Sequence, residues 1–177
     1  MNADIYRRVE NLIRVGRIKT VTPSKPFHTV TVNLGDIVTK ELRVLNLRAG
    51  RDSTHDLPSI GEECLVLSVC GVLELGVVLV GLNNEDFPTP SQNSDIKLRM
   101  FEDGAVISYD TKNHILQAIL PQGSSAKLVA NVEIDGKLHV TQDITTNADV
   151  KAGNISLKSH KTSGVKSGGD TSGGPVP

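Results

Sequence analysis

The chain has 177 residues, 38% of them hydrophobic, with 16 glycines, three Phe, two Tyr and no Trp. Such a composition supports one ordinary folded domain or two small ones and argues against a thick aromatic core. Lys and Arg total 19 against 20 Asp and Glu, a net charge of -1, so there is no cationic excess to neutralise a phosphate backbone and nucleic acid is disfavoured as a main partner.

The first residues, MNADIYRRVE, lack the basic-then-apolar pattern of a signal peptide, and no apolar run reaches the roughly 18 to 20 residues of a membrane span. The chain is therefore expected to be made in the cytoplasm. Ile5, Val9, Leu12 and Ile13 recur at helical spacing, which predicts a short amphipathic helix over residues 1–16, capped by Asn2 and ended by Gly16. A helix of that length is marginal alone, so its stripe is expected to be packed rather than displayed.

From Arg17 to Leu82 the pattern becomes β-rich, with strands expected at Arg17 to Thr22, His28 to Leu34, Ile37 to Leu47, Cys64 to Cys70 and Leu73 to Leu82. There is no room for helices of ordinary length between them, which favours a small five-stranded barrel of the OB type over residues 17–90. Cys64 and Cys70 read as reduced, small core residues. Phe87 to Ser94, with Pro88 and Pro90, reads as a linker.

Even positions from Ala126 to Ala152 are apolar at eleven of fourteen places, whereas Val129 is the only apolar residue at the odd positions between them. Period-two alternation of this length predicts extended chain with one dry face and one wet face. The dry face comprises Leu128, Val132, Ile134, Leu138, Val140, Ile144 and Val150, interspersed with alanines, and Asp135-Gly136 suits a turn. So thin a stripe cannot offset the backbone entropy of ordering it. Closure against further copies would use it fully, which points to a homo-oligomeric β-prism or β-helix. The Gly- and Ser-rich tail after Ser163 reads, on composition alone, as disordered.

Arg48-Ala-Gly-Arg51, Pro58-Ser-Ile-Gly-Glu62, Phe101-Glu-Asp-Gly-Ala-Val-Ile-Ser-Tyr109 and the Gly/Thr/Pro tail follow one another in an order that resembles baseplate assembly protein V of contractile-tailed phages, the central spike of such tails and of pyocin-like particles. The resemblance implies a mainly β homotrimer with an N-terminal OB-fold barrel bound to the baseplate hub and tail tube. An intertwined β-helical shaft over residues 91–157 and a pointed apex over residues 158–177 would follow. It further implies a virion-tail or particle location, synthesis in the host cytoplasm, and transient contact with the host outer membrane.

In that family the apex carries a His-x-His pair in each chain, and six imidazoles hold one iron ion. Here His160 is followed by Lys161 and Thr162, so the second imidazole is missing. Three His160 side chains still offer a facial donor set, with Thr162 hydroxyls or waters completing it. The lost ligand weighs toward a tip without iron.

No catalytic constellation stands out. Glu62 and Glu63 would point to opposite faces of a strand, and a Ser53, His55 and Asp56 triad lacks a nucleophile turn. His28, His114 and His139 read as surface strand residues. Arg43, Arg48 and Arg51 form a local basic group suited to a solvated face or to docking an acidic hub protein. The reading is a non-enzymatic spike; its rival is a trimeric receptor- or glycan-binding OB module, disfavoured because Phe27 is the only aromatic residue from Arg17 to Leu82.

Overall fold

The computed structural model describes residues 3–161 and 168. Helix α1 (Ala3–Asn11) leads into β1 (Ile13–Thr22), followed by β2 (Thr29–Asn33), β3 (Leu42–Val44), β4 (Glu63–Ser68) and β5 (Gly76–Leu82). These five strands close into a barrel in the order β1-β2-β3-β5-β4. β1 closes it by serving two partners: Ile13 to Arg17 pair with β4, and Arg17 to Thr22 pair with β2 across an irregularity between Ile18 and Thr20. A bulge of this kind bends a strand sharply enough to turn a barrel corner.

Inward residues alternate along each strand. Ile18, Val30, Val32, Leu34, Leu42, Cys64, Val66 and Val78 form the buried core, with Val21, Val44, Leu73 and Val80 packed against it. Gly16 lies on β1 just before that irregularity. A Cβ there would lie 2.6 Å from both Asn33 O and Val32 Cγ1, so the missing side chain permits β1 and β2 to approach.

The expected helix over residues 1–16 is shorter than its periodicity suggested. It stops at Asn11, and Ile13 to Gly16 belong to β1. Ile13 and Val15 are β-branched residues that gain ladder partners in Leu67 and Leu65, which an isolated helical turn does not supply. The stripe is not packed within the chain either, since Ile5, Val9, Leu12 and Ile13 are all exposed.

The expected strand Ile37 to Leu47 contracts to β3, because Thr39 turns back on β2: its Oγ1 accepts the Val32 N–H and its own N–H donates to Val32 O. The last two barrel strands are likewise trimmed by 3-10 turns at Val69–Gly71 and Leu73–Leu75.

After Pro88 and Pro90 a three-stranded antiparallel meander forms from β6 (Ile96–Met100), β7 (Val106–Asp110) and β8 (Ile115–Ile119). The first compact unit ends at Ser125 and a second begins at Ala126. In the second, β9 (Lys151–Ala152) and β10 (Ile155–Ser156) make a small hairpin around Gly153. No strand is formed from residue 126 to residue 150.

Candidate functional site

The three arginines proposed for docking have different surroundings. Arg43, on β3, stacks its guanidinium 4.9 Å from the Phe27 ring centroid, a cation–π contact that holds the cation against the barrel. Arg48 opens a short hairpin, where Thr54 N–H donates to Arg48 O at 3.0 Å, and its guanidinium lies 3.8 Å from Asp52. Arg51, at the exposed tip of that hairpin, has no ion pair among the described residues.

The same loop disposes of the triad arrangement. His55 Nδ1 lies 3.2 Å from His28 Nε2, and the rings meet edge to face. Ser24 N–H donates to His28 Nδ1 at 3.1 Å, so His28 carries its proton on Nε2 and donates it to His55. Asp56 is instead bound by Arg99 at 2.6 Å. Neither is arranged around Ser53.

Glu62 Oε2 accepts the Ser59 N–H at 3.0 Å, so this carboxylate is occupied in holding its own turn. Beside the Asp56–Arg99 pair lies a cleft of about 840 Å³, lined in part by Leu45, Leu47, Leu57, Met100 and Phe101. Sequence reading missed both pairs, because their members lie 27 and 43 positions apart and meet only in the folded chain. None of His28, His114 and His139 is a strand residue: His28 precedes β2, His114 occupies the β7–β8 turn with φ +57°, and His139 lies in the stretch without strands.

Cys64 is buried and Cys70 exposed, both as free thiols. Burial, reinforced by Glu62 and Glu63, pushes the Cys64 thiol up to about 11. It is therefore a neutral core residue at physiological pH rather than a nucleophile.

His160 is exposed, and its Nδ1 lies 3.0 Å from Leu157 O. A carbonyl only accepts, so Nδ1 bears the proton and Nε2 keeps the lone pair that a metal would use. No group of three His, Cys, Asp or Glu side chains that could hold a metal occurs among the described residues. Thr162, the other suggested donor, lies outside them.

Every residue assigned to the dry stripe is exposed in the single chain: Leu128, Val132, Ile134, Leu138, Val140, Ile144 and Val150 range from 43% to 77%. Val129, of the opposite parity, is also exposed. Among the described residues no backbone–backbone hydrogen bond involves positions 126–149. Asp135-Gly136 does form a bend.

Comparison with known proteins supplies the context for these surfaces. Residues 14–82, the span of the closed barrel, match the type VI secretion system and phage-baseplate injector OB domain. Residues 154–176 match the GpV apex motif. The spike protein of Escherichia phage P2 is 33% identical over 147 residues, which cover 79% of this chain and 69% of that protein. The chain belongs to the phage baseplate spike family. For this spike-family member the barrel and the apex are thus separately recognisable, and the stripe of residues 126–150 lies between the two matched segments. No helix among the described residues is long and apolar enough to cross a membrane.

Proposed function

We propose that three copies of this chain form the central spike of a contractile tail baseplate. The spike caps the hub and tail tube and is driven through the host outer membrane when the sheath contracts. Residues 1–16 and 17–90 attach it to the hub, residues 91–157 form the intertwined shaft, and residues 158–177 form the tip. The observation that carries this reading is the stripe: a 25-residue segment with alternating polarity leaves its apolar side chains exposed and forms no ladder within one chain. Neighbouring copies supply both the missing backbone partners and the dry axis.

The work is mechanical, and the chain acts without turnover. Interlocked strands resist bending because any deflection must disrupt many ladder hydrogen bonds and axial contacts together. Arg48 and Arg51 present cations on the barrel for an acidic hub surface, with Arg43 a weaker contributor because Phe27 already engages it. At the tip, the single imidazole per chain favours closure without iron. One mole of transition metal per three chains in purified protein would overturn that assignment.

Antibodies raised against the folded chain should decorate the distal end of the tail in intact particles that encode it, and should not bind tail fibres. Decoration confined to fibres, together with saturable glycan binding lost on altering barrel loops, would replace the spike reading with the receptor-binding one.

A further inference from the structure

The barrel has a second apolar layer on its outside. β1, β4 and β5 are adjacent, and their registers align outward side chains in two straight rows: Ile13 opposite Leu67 opposite Val77, and Val15 opposite Leu65 opposite Leu79. Val66 and Val78, which point inward between the two rows, are each 0% exposed, whereas Ile13 and Val15 are 65% and 55% exposed. A half-solvated antiparallel strand alternates apolar and polar residues, and a strand covered on both faces does not. Leu65-Val66-Leu67 and Val77-Val78-Leu79 follow the covered pattern although their outer face is left partly exposed, with Leu65 and Val77 half-buried and Leu67 and Leu79 exposed.

We propose that this outer face of β1, β4 and β5 is where the barrels of neighbouring copies of this chain pack together. The proposal rests on the trimeric reading above. The two rows contain no charged residue. The next register pair, Arg17 and Glu63, places both signs at the rim, with Arg17 additionally held by Asp86 at 2.8 Å. A mixed rim lets identical surfaces approach without like-charge repulsion and offers no single-signed field to attract a strongly charged foreign protein. Each barrel is also covalently tied to a stripe that we assign to self-association. Once three stripes join, the barrels are held at the effective concentrations, on the order of millimolar, that tethering provides. A foreign occupant would have to displace a tethered copy.

Full-length protein carrying Cys70→Ser and either Val15→Cys or Leu67→Cys should form covalently linked copies under mild oxidation or with a short bifunctional maleimide. Thr20→Cys, exposed on the β2 side of the barrel, should not. Maleimide labelling at Val15→Cys should be at least about tenfold slower than at Thr20→Cys before urea and equal to it afterwards. Solution mass separates the two ideas. A trimer that neither cross-links nor protects these positions overturns the proposed face while leaving the spike reading intact, and a folded monomer overturns both. Protection that arises only when the trimer is bound to isolated baseplates would assign the face to another baseplate protein and equally overturn the inference.

Discussion

Gly71 fixes how the N-terminal helix is seated. It adopts φ +69°, and a Cβ built on it would run into the Arg8 backbone of α1. Two independent costs therefore fall on one substitution: a left-handed backbone and a collision that no flexible side chain can relieve. Gly71→Ala should lower unfolding free energy by roughly 2–4 kcal/mol. Gly50→Ala, where nothing lies within 4 Å of the added carbon, should change it by less than about 0.5 kcal/mol. Urea denaturation of the two variants checks the contrast. Cys70, next to Gly71, also has a positive φ of +53°, so the 3-10 turn after β4 gathers backbone conformations that a simple strand reading of Cys64 to Cys70 did not anticipate. Near the C-terminus the sequence shows a lone His160, but not that its Nδ1 would be engaged by Leu157 O.

Among the elements, the β7–β8 turn shows how one carboxylate organises a connection. Asp110 accepts the backbone N–H groups of Lys112 and Asn113 and the Asn113 side-chain amide. These bonds, those of Asn113 foremost, hold its carboxyl below the ordinary value of 3.8. A depressed carboxylate favours the formed turn above its unfolded pKa and loses that contribution as pH falls through the folded one. Amide exchange at Lys112 and Asn113, corrected for intrinsic rates, should show constant protection from pH 7 to about 5 and declining protection below about 4. In Asp110→Ala the protection should be low throughout, and an unchanged acid profile in that variant would contradict the assignment.

The barrel strands were legible because short β-branched runs punctuated by turn residues leave little else to form. The boundary between α1 and β1 was not, since Ile13 satisfies helical spacing and strand pairing equally. Only its partner Leu67, more than fifty residues away, decides it. The pairs His28–His55 and Asp56–Arg99 were illegible for the same reason: loop residues distant in sequence carry no periodic signal of their meeting. The outer apolar rows left a trace in the unbroken run Leu65-Val66-Leu67, which inspection of the inward face alone passes over.

For the whole molecule, the barrel and the stripe obey opposite logics. The barrel closes on itself and buries Val30, Val32, Val66 and Val78 completely. The stripe closes on nothing within its own chain, although its parity was readable from sequence across residues 126–152. In the interlocked assembly we propose, that alternation would gain the burial a single chain does not give it. On the proposed axis, Val140→Asp would place a charge at a cost that no local rearrangement offsets, whereas His139→Asp would change only the face proposed to be wet. The first should abolish association and the second should leave it intact; equal effects on assembly would contradict the parity. The most direct test is the mass of the unaltered full-length chain by multi-angle light scattering. Three chains of 19.0 kDa should elute as a single species of about 57 kDa that persists on dilution, and a folded species of 19.0 kDa with ordered residues 126–150 would contradict the account.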